Sequence, residues 1–113
     1  MLYDETAASS LQKNFNEDEV SSIYNEFVLS ARNKLISIQQ QLDIDNDQCI
    51  KMLHRQASTA LQLGFNRYGQ MLKTIERRLL EDKSAHEELT QAMVLWQDSL
   101  SAYLQFVRSQ TLN

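Results

Sequence analysis

Proline is absent from all 113 residues of this chain, and glycine stands at only two positions, Gly64 and Gly69. A chain of this length carries on average about five prolines and seven or eight glycines. Tight turns draw heavily on both, because glycine reaches positive φ and proline presets φ near −65°. A fold of many short strands needs a turn roughly every 8–12 residues, and this chain lacks the residues to make them. It is therefore expected to form a few long helices with short connections. Disorder is also excluded, since 42% of residues are hydrophobic and the formal net charge is only -4.

The stripes of apolar residues bear this out along the chain. Tyr3, Ala7 and Leu11 recur at spacing four and predict a short helix lying across the bundle. A second helix starts after Asn16, where Asn16 and Glu19 have the spacing of a capping box and Glu17, Asp18 and Glu19 complement the positive helix N-terminus. Its stripe runs Val20, Ile23, Tyr24, Phe27, Ala31, Leu35, Ile38, Leu42. Residues 17–42 make a rod of about 39 Å.

The Asp/Asn-rich stretch from Asp43 to Asp47 breaks the pattern, and Asp45 with Gln48 predicts a cap for the third helix, which runs from about Asn46 to Leu63. Gly64 is a natural residue to end it. Asn66 is placed to cap the fourth helix, whose stripe is Tyr68, Met71, Leu72, Ile75, Leu79. Gly69, near the start of that helix, has no such role. Ser84 and Glu87 have capping-box spacing ahead of the last helix, striped by Leu89, Met93, Trp96, Leu100, Tyr103 and Val107. Connections of two to five residues make consecutive helices antiparallel neighbours. The expected architecture is all-α: one domain over residues 1–113, an antiparallel up-down four-helix bundle over about 17–111 with an appendage at 1–15. No repeat, low-complexity tract or linker interrupts it.

The third helix admits two inward faces. One stripe is Ile50, Leu53, Ala57, Ala60 and Leu61, with His54 partly buried at its edge. The other is Cys49, Met52, Leu53, Ala60 and Leu63, which exposes His54 but turns Gln56 inward. Periodicity leaves both open.

No apolar run approaches the roughly 18 residues of a membrane span. Residues 1–10 carry Asp4 and Glu5 and no positive n-region, unlike a signal peptide. Cys49 is the single cysteine, so no disulfide forms within the chain; it is expected to be a buried small hydrophobe in a cytoplasmic protein. Charge is uneven. Residues 1–50 carry nine acids and three bases, residues 51–83 seven bases and three acids, and residues 84–113 three acids and one base. An acidic protein of pI near 5.1 is a poor general nucleic-acid binder, but its basic middle suits one acidic partner or a phosphoryl group, unless it simply solvates two helices.

Among reactive groups there is no glycine-rich phosphate loop, no Cys/His metal cluster and no serine nucleophile elbow. The carboxylate pairs Glu87/Glu88 and Asp43/Asp45 lie at helix starts, where capping accounts for them. His86, in the first turn of the last helix, reads as a surface residue. His54 stands in mid-helix, where neither cap nor turn explains it.

Around His54 the chain reads His54-Arg55-Gln56-Ala57-Ser58-Thr59-Ala60-Leu61-Gln62-Leu63-Gly64-Phe65, then Tyr68, Met71, Leu72, Ile75, Glu76. This resembles the histidine-containing phosphotransfer (HPt) domain of two-component phosphorelays, over roughly residues 18–108. The family has a mid-helix histidine, a lysine three residues on, a small residue four on, a terminating Leu-Gly pair and a leucine-rich pattern ending in Glu. Here these positions hold His54, Ala57, Ser58, Leu63-Gly64 and Ile75-Glu76, so the lysine is replaced by alanine. Seven residues after the histidine, where the family has a small side chain, stands Leu61.

The resemblance implies a phosphocarrier rather than an enzyme, with no cofactor or metal of its own. His54 would take a phosphoryl group from the aspartate of a response-regulator receiver domain, or of a hybrid sensor kinase, and pass it to another receiver. The receiver supplies the magnesium and acidic pocket. Lys51 and Arg55 would offset the phosphoryl charge, with Arg67 a further candidate; Ser58 would hydrogen-bond it, and Ala57 and Leu61 would face the receiver. No nucleic acid, membrane or small molecule is expected as a partner. The alternative is a helical adaptor or chaperone, a degenerate HPt included, that never carries phosphate and binds a partner through the apolar Ala57–Leu61 side of this helix.

Overall fold

The computed structural model describes residues 1–111. Within them the chain forms five helices and no strand: α1 (Thr6–Leu11), α2 (Glu17–Gln41), α3 (Asn46–Gln62), α4 (Asn66–Leu80) and α5 (His86–Thr111). The four long helices run up and down, and each packs on two neighbours: α2 on α3, α3 on α4, α4 on α5, and α5 back on α2. The result is an antiparallel four-helix bundle crossed at one end by a short helix.

The expected stripe of α2 is the buried one: Val20, Tyr24, Phe27, Ala31, Leu35 and Ile38 all lie inside. Its capping box is complete. Asn16 Oδ1 accepts from the Glu19 amide at 2.8 Å, and Glu19 Oε1 accepts from the Asn16 amide at 3.1 Å. At α3 only half of the predicted box forms, with Asp45 Oδ1 accepting from the Gln48 amide at 3.1 Å.

Gly64 ends α3 as predicted, at φ 90°. The Gly64 amide bonds the Leu61 carbonyl at 3.2 Å and the Phe65 amide bonds that of Ala60 at 2.9 Å, which together make a Schellman closure. That closure overturns the predicted cap at Asn66. It draws Phe65 fully into the core, so Phe65 occupies the capping position without a side-chain bond, and Asn66 is already helical. The Ser84–Glu87 box is likewise not formed. The helix starts at His86, one residue too late for Ser84 to cap it, and Ser84 instead offers its carbonyl to Arg78 Nε at 2.7 Å.

Residues 1–11 are built into the bundle end. Tyr3 is buried edge-on to Tyr24 and Tyr103 and against Phe65. Its backbone neighbour Asp4 donates to the Gly64 carbonyl at 2.8 Å. A methyl built at Gly64 would stand 2.6 Å from the Asp4 carbonyl oxygen, so glycine here serves the close approach as well as the turn. Tyr24 closes the cluster by donating from its hydroxyl to the Leu63 carbonyl at 2.7 Å.

The ambiguity of α3 resolves toward the second stripe. Cys49, Leu53, Gln56, Ala60 and Leu63 all face the core, with Met52 only partly buried, and Ala57 of the first stripe is buried as well. Gln56 is turned inward to face the Tyr68 hydroxyl on α4, although neither its Nε2 nor that hydroxyl reaches hydrogen-bond geometry. This rotation exposes His54. Cys49 is fully buried, and burial pushes its thiol pKa up. Among the described residues no helix is long and apolar enough to cross a membrane.

Candidate functional site

The α3–α4 pair is drawn together at Gly69. A methyl built there would lie 2.7 Å from Leu61 Cγ and Cδ2 and 3.4 Å from the Ala57 carbonyl oxygen. Gly69 thus has the role that the sequence left unassigned: it lets two helices approach more closely than side chains would allow. The antiparallel register set there brings Glu76, two turns further along α4, level with His54.

His54 stands on the outside of this seam with 70% of its side chain exposed. Its Nδ1 lies 3.1 Å from Glu76 Oε2, and the Glu76 side chain is only 17% exposed. An ionised carboxylate only accepts hydrogen bonds, so Nδ1 carries the proton in this contact. In neutral imidazole that leaves the Nε2 lone pair free, on the ring edge away from the bond. The sequence supplied Glu76 as the last residue of a pattern and assigned it nothing. A signal was there, since Glu76 is the only acid between residues 51 and 80.

The other predicted residues divide into two groups. Lys51 and Arg55 are exposed on α3 and have no ion-pair partner among the described residues. Ser58 is exposed one turn after His54, and its hydroxyl donates to the His54 carbonyl at 2.9 Å, leaving oxygen lone pairs open to an incoming donor. These three stand within one turn of His54. Arg67 does not: it opens α4, level with the end of α3, roughly 13 Å along the helix from His54.

Ala57 is corrected by the structure. It is 1% exposed, pressed under α4 by the close approach at Gly69, and cannot face a docking partner. Leu61 is half-buried over Gly69 and offers only its outer edge. Lys73, absent from the predicted set, stands one turn before Glu76 on the same flank of α4, exposed and without an ion-pair partner among the described residues.

At the other end of α3, His86 meets Asp43. His86 Nε2 contacts Asp43 Oδ2, joining the α2–α3 turn to the start of α5. Asp43 therefore does not act as a cap; it sits at φ 67° in the turn and its amide bonds Asn46 Oδ1 at 2.8 Å. Both side chains are largely exposed. Among the described residues no group of three or more His, Cys, Asp or Glu side chains is placed to hold a metal ion. A scan against models of protein families, a search of curated proteins and a search of solved structures each return no match.

Proposed function

We propose that this protein is a phosphorelay carrier in which His54 takes a phosphoryl group from a receiver-domain aspartate and hands it to a second receiver. One observation carries the reading: an imidazole set out from a rigid two-helix seam, with Nδ1 held by Glu76 and Nε2 free. In the forward step the Nε2 lone pair attacks phosphorus, an N–P bond forms, the acyl O–P bond breaks, and the aspartate leaves as carboxylate. Glu76 stabilises the positive charge that develops on the ring as Nε2 becomes bonded. Passing the phosphoryl on reverses these bonds against another aspartate.

No catalytic apparatus is needed on the carrier itself. Its task is to fix the direction of one nucleophile, and a side chain anchored at both its backbone and its second nitrogen loses less freedom on reaching the reactive geometry. The phosphoryl group brings about -1.5 to -2 charges. Lys51 and Arg55 on α3, with Lys73 across the seam, supply unpaired positive charge around it and take the place of the lysine that Ala57 lacks. The adaptor reading loses its main footing, because Ala57 is buried and no apolar patch centres on it.

The test is transfer of label from ³²P-phosphorylated receiver domains. Acid-labile label on this protein is expected, absent in His54→Gln and retained in His86→Gln. Glu76→Gln keeps the hydrogen bond but loses the charge, and should slow transfer by roughly tenfold or more. Failure of every cognate receiver to label a folded protein would overturn the reading.

A further inference from the structure

The bundle is a square of helices, so the α2–α5 seam lies on the side opposite His54. That seam is open. Arg32, Leu35 and Ile36 of α2 and Met93, Trp96 and Gln97 of α5 line a cavity of about 210 Å³ between the two helices. Apolar surface continues from it in both directions. Leu29 is 80% exposed and lies within about 20° of Ile36 around α2. Leu104 is 46% exposed and lies within about 20° of Met93 around α5, on the same side as the half-buried Leu100.

We infer that this groove is a second docking site, and that its occupant is an amphipathic helix of a partner protein carrying a carboxylate within its apolar stripe. Three features select that occupant. The walls are helical side chains with no unpaired strand edge, so an extended segment would find no backbone partners, whereas a helix satisfies its own. The strips of Leu29 and Ile36, and of Met93, Leu100 and Leu104, repeat at helical spacing, which an i, i+3, i+4, i+7 stripe interleaves.

The third feature is charge. Arg32 lines the cavity, exposed and with no ion-pair partner among the described residues. No acid on its face is near: Asp18 and Glu17 lie within about 60° of Arg32 around α2 but about 20 Å away along it, Glu26 lies about 120° away, and Asp98 lies about 140° from Met93 around α5. A second copy docked about a twofold axis at the cavity would bring Arg32 toward Arg32 with the same-face Asp18 about 20 Å away, and like charges in an interface are disfavoured. A partner carboxylate facing Arg32 completes the groove. The site lies opposite His54, so a partner held there leaves the imidazole accessible, and the inference does not depend on the phosphoryl reading.

The test uses two synthetic helical peptides of about 20 residues with leucines at heptad spacing, one with a single Glu in the stripe and one with Lys there. Binding is followed by fluorescence anisotropy and by amide NMR shifts. The Glu peptide is expected to saturate, to shift Arg32, Ile36 and Met93, and to bind about tenfold tighter than the Lys peptide. Arg32→Glu should reverse that preference. Ile36→Asp and Leu104→Asp, both at exposed positions, should weaken the Glu peptide while leaving the circular dichroism spectrum unchanged. Equal binding of the two peptides, no saturable binding of either, or indifference to these variants would overturn the inference. So would a concentration-dependent dimer in sedimentation that Ile36→Asp dissolves, because a second copy would then be the occupant.

Discussion

Two opposite seams of this bundle, α3–α4 and α2–α5, end up with opposite properties. At the α3–α4 seam Gly69 removes a side chain from the crossing, Leu61 lies in the space, and Ala57 is pressed out of solvent. At the α2–α5 seam Leu35 and Trp96 fill the centre, but nothing fills the outer notch between Ile36 and Met93, and a cavity remains. At Gly69 the missing Cβ is what lets α3 and α4 come this near. Where helices come near, a polar pair can be held across the seam; where they stand apart, apolar surface is left for something else to cover.

Core truncation should show this contrast most strongly. Leu53→Ala, at a fully buried position of α3, is expected to cost about 2–5 kcal/mol in urea unfolding. Ile36→Ala on the open seam should cost less than about 1 kcal/mol, since little packing is lost. Equal losses would mean that the two seams are packed alike.

Gly69→Leu refills the close crossing. Overpacking of about 1–3 kcal/mol is expected, with loss of the His54–Glu76 contact visible as a changed His54 ring environment by NMR. Restoration by a second change, Leu61→Ala, would tie the effect to that one contact; destabilisation that Leu61→Ala leaves untouched would place its cause elsewhere.

How much of this was legible depends on what kind of signal each feature leaves. The stripe of α2 declares itself because every buried position on it is apolar; that of α5 does so only in part, since Leu89 and Trp96 are buried as expected but Ser99 is buried too and Val107 is exposed. The face of α3 did not, because Gln56 is buried despite its amide, and its polarity weighs against the stripe that actually forms. The expected caps at Asn66 and Ser84 failed for a related reason: a Schellman closure and the exact start of α5 decide those residues, and both depend on how the chain folds back. Ala57 was placed on the outer face by the family resemblance, and a resemblance along one helix does not tell how close the next helix comes. Glu76 needed the register across two helices, for which the only sequence trace was a lone acid in a basic stretch.

The unpartnered pair between these helices gives a smaller effect. Tyr68→Phe removes a buried hydroxyl that faces the Gln56 amide outside hydrogen-bond geometry, so stability should fall by less than about 1 kcal/mol. A loss of 1 kcal/mol or more would show that the hydroxyl has a partner in solution.

The smallest effect lies at the arm that covers the end shared by both seams. Thr6 donates to the Asp4 carboxylate from its hydroxyl and its amide, and these bonds hold the Asp4 pKa below its ordinary 3.8. A pKa lowered by folding contributes stability above the unfolded value and loses it as pH falls through the folded one. Relative to the intrinsic amide rate, hydrogen exchange at Thr6 should therefore quicken below pH 3.8 before the bundle opens. Exchange there that stays flat until global unfolding would contradict this.

The central claim is that His54 presents Nε2 because Glu76 occupies Nδ1. It is tested most directly by phosphorylating ¹⁵N-labelled protein from a receiver domain and reading by NMR which nitrogen bears phosphorus. The account predicts one phosphohistidine, at His54, bonded through Nε2, with the proton still on Nδ1. Phosphorus on Nδ1, on His86, or on no histidine at all would contradict it.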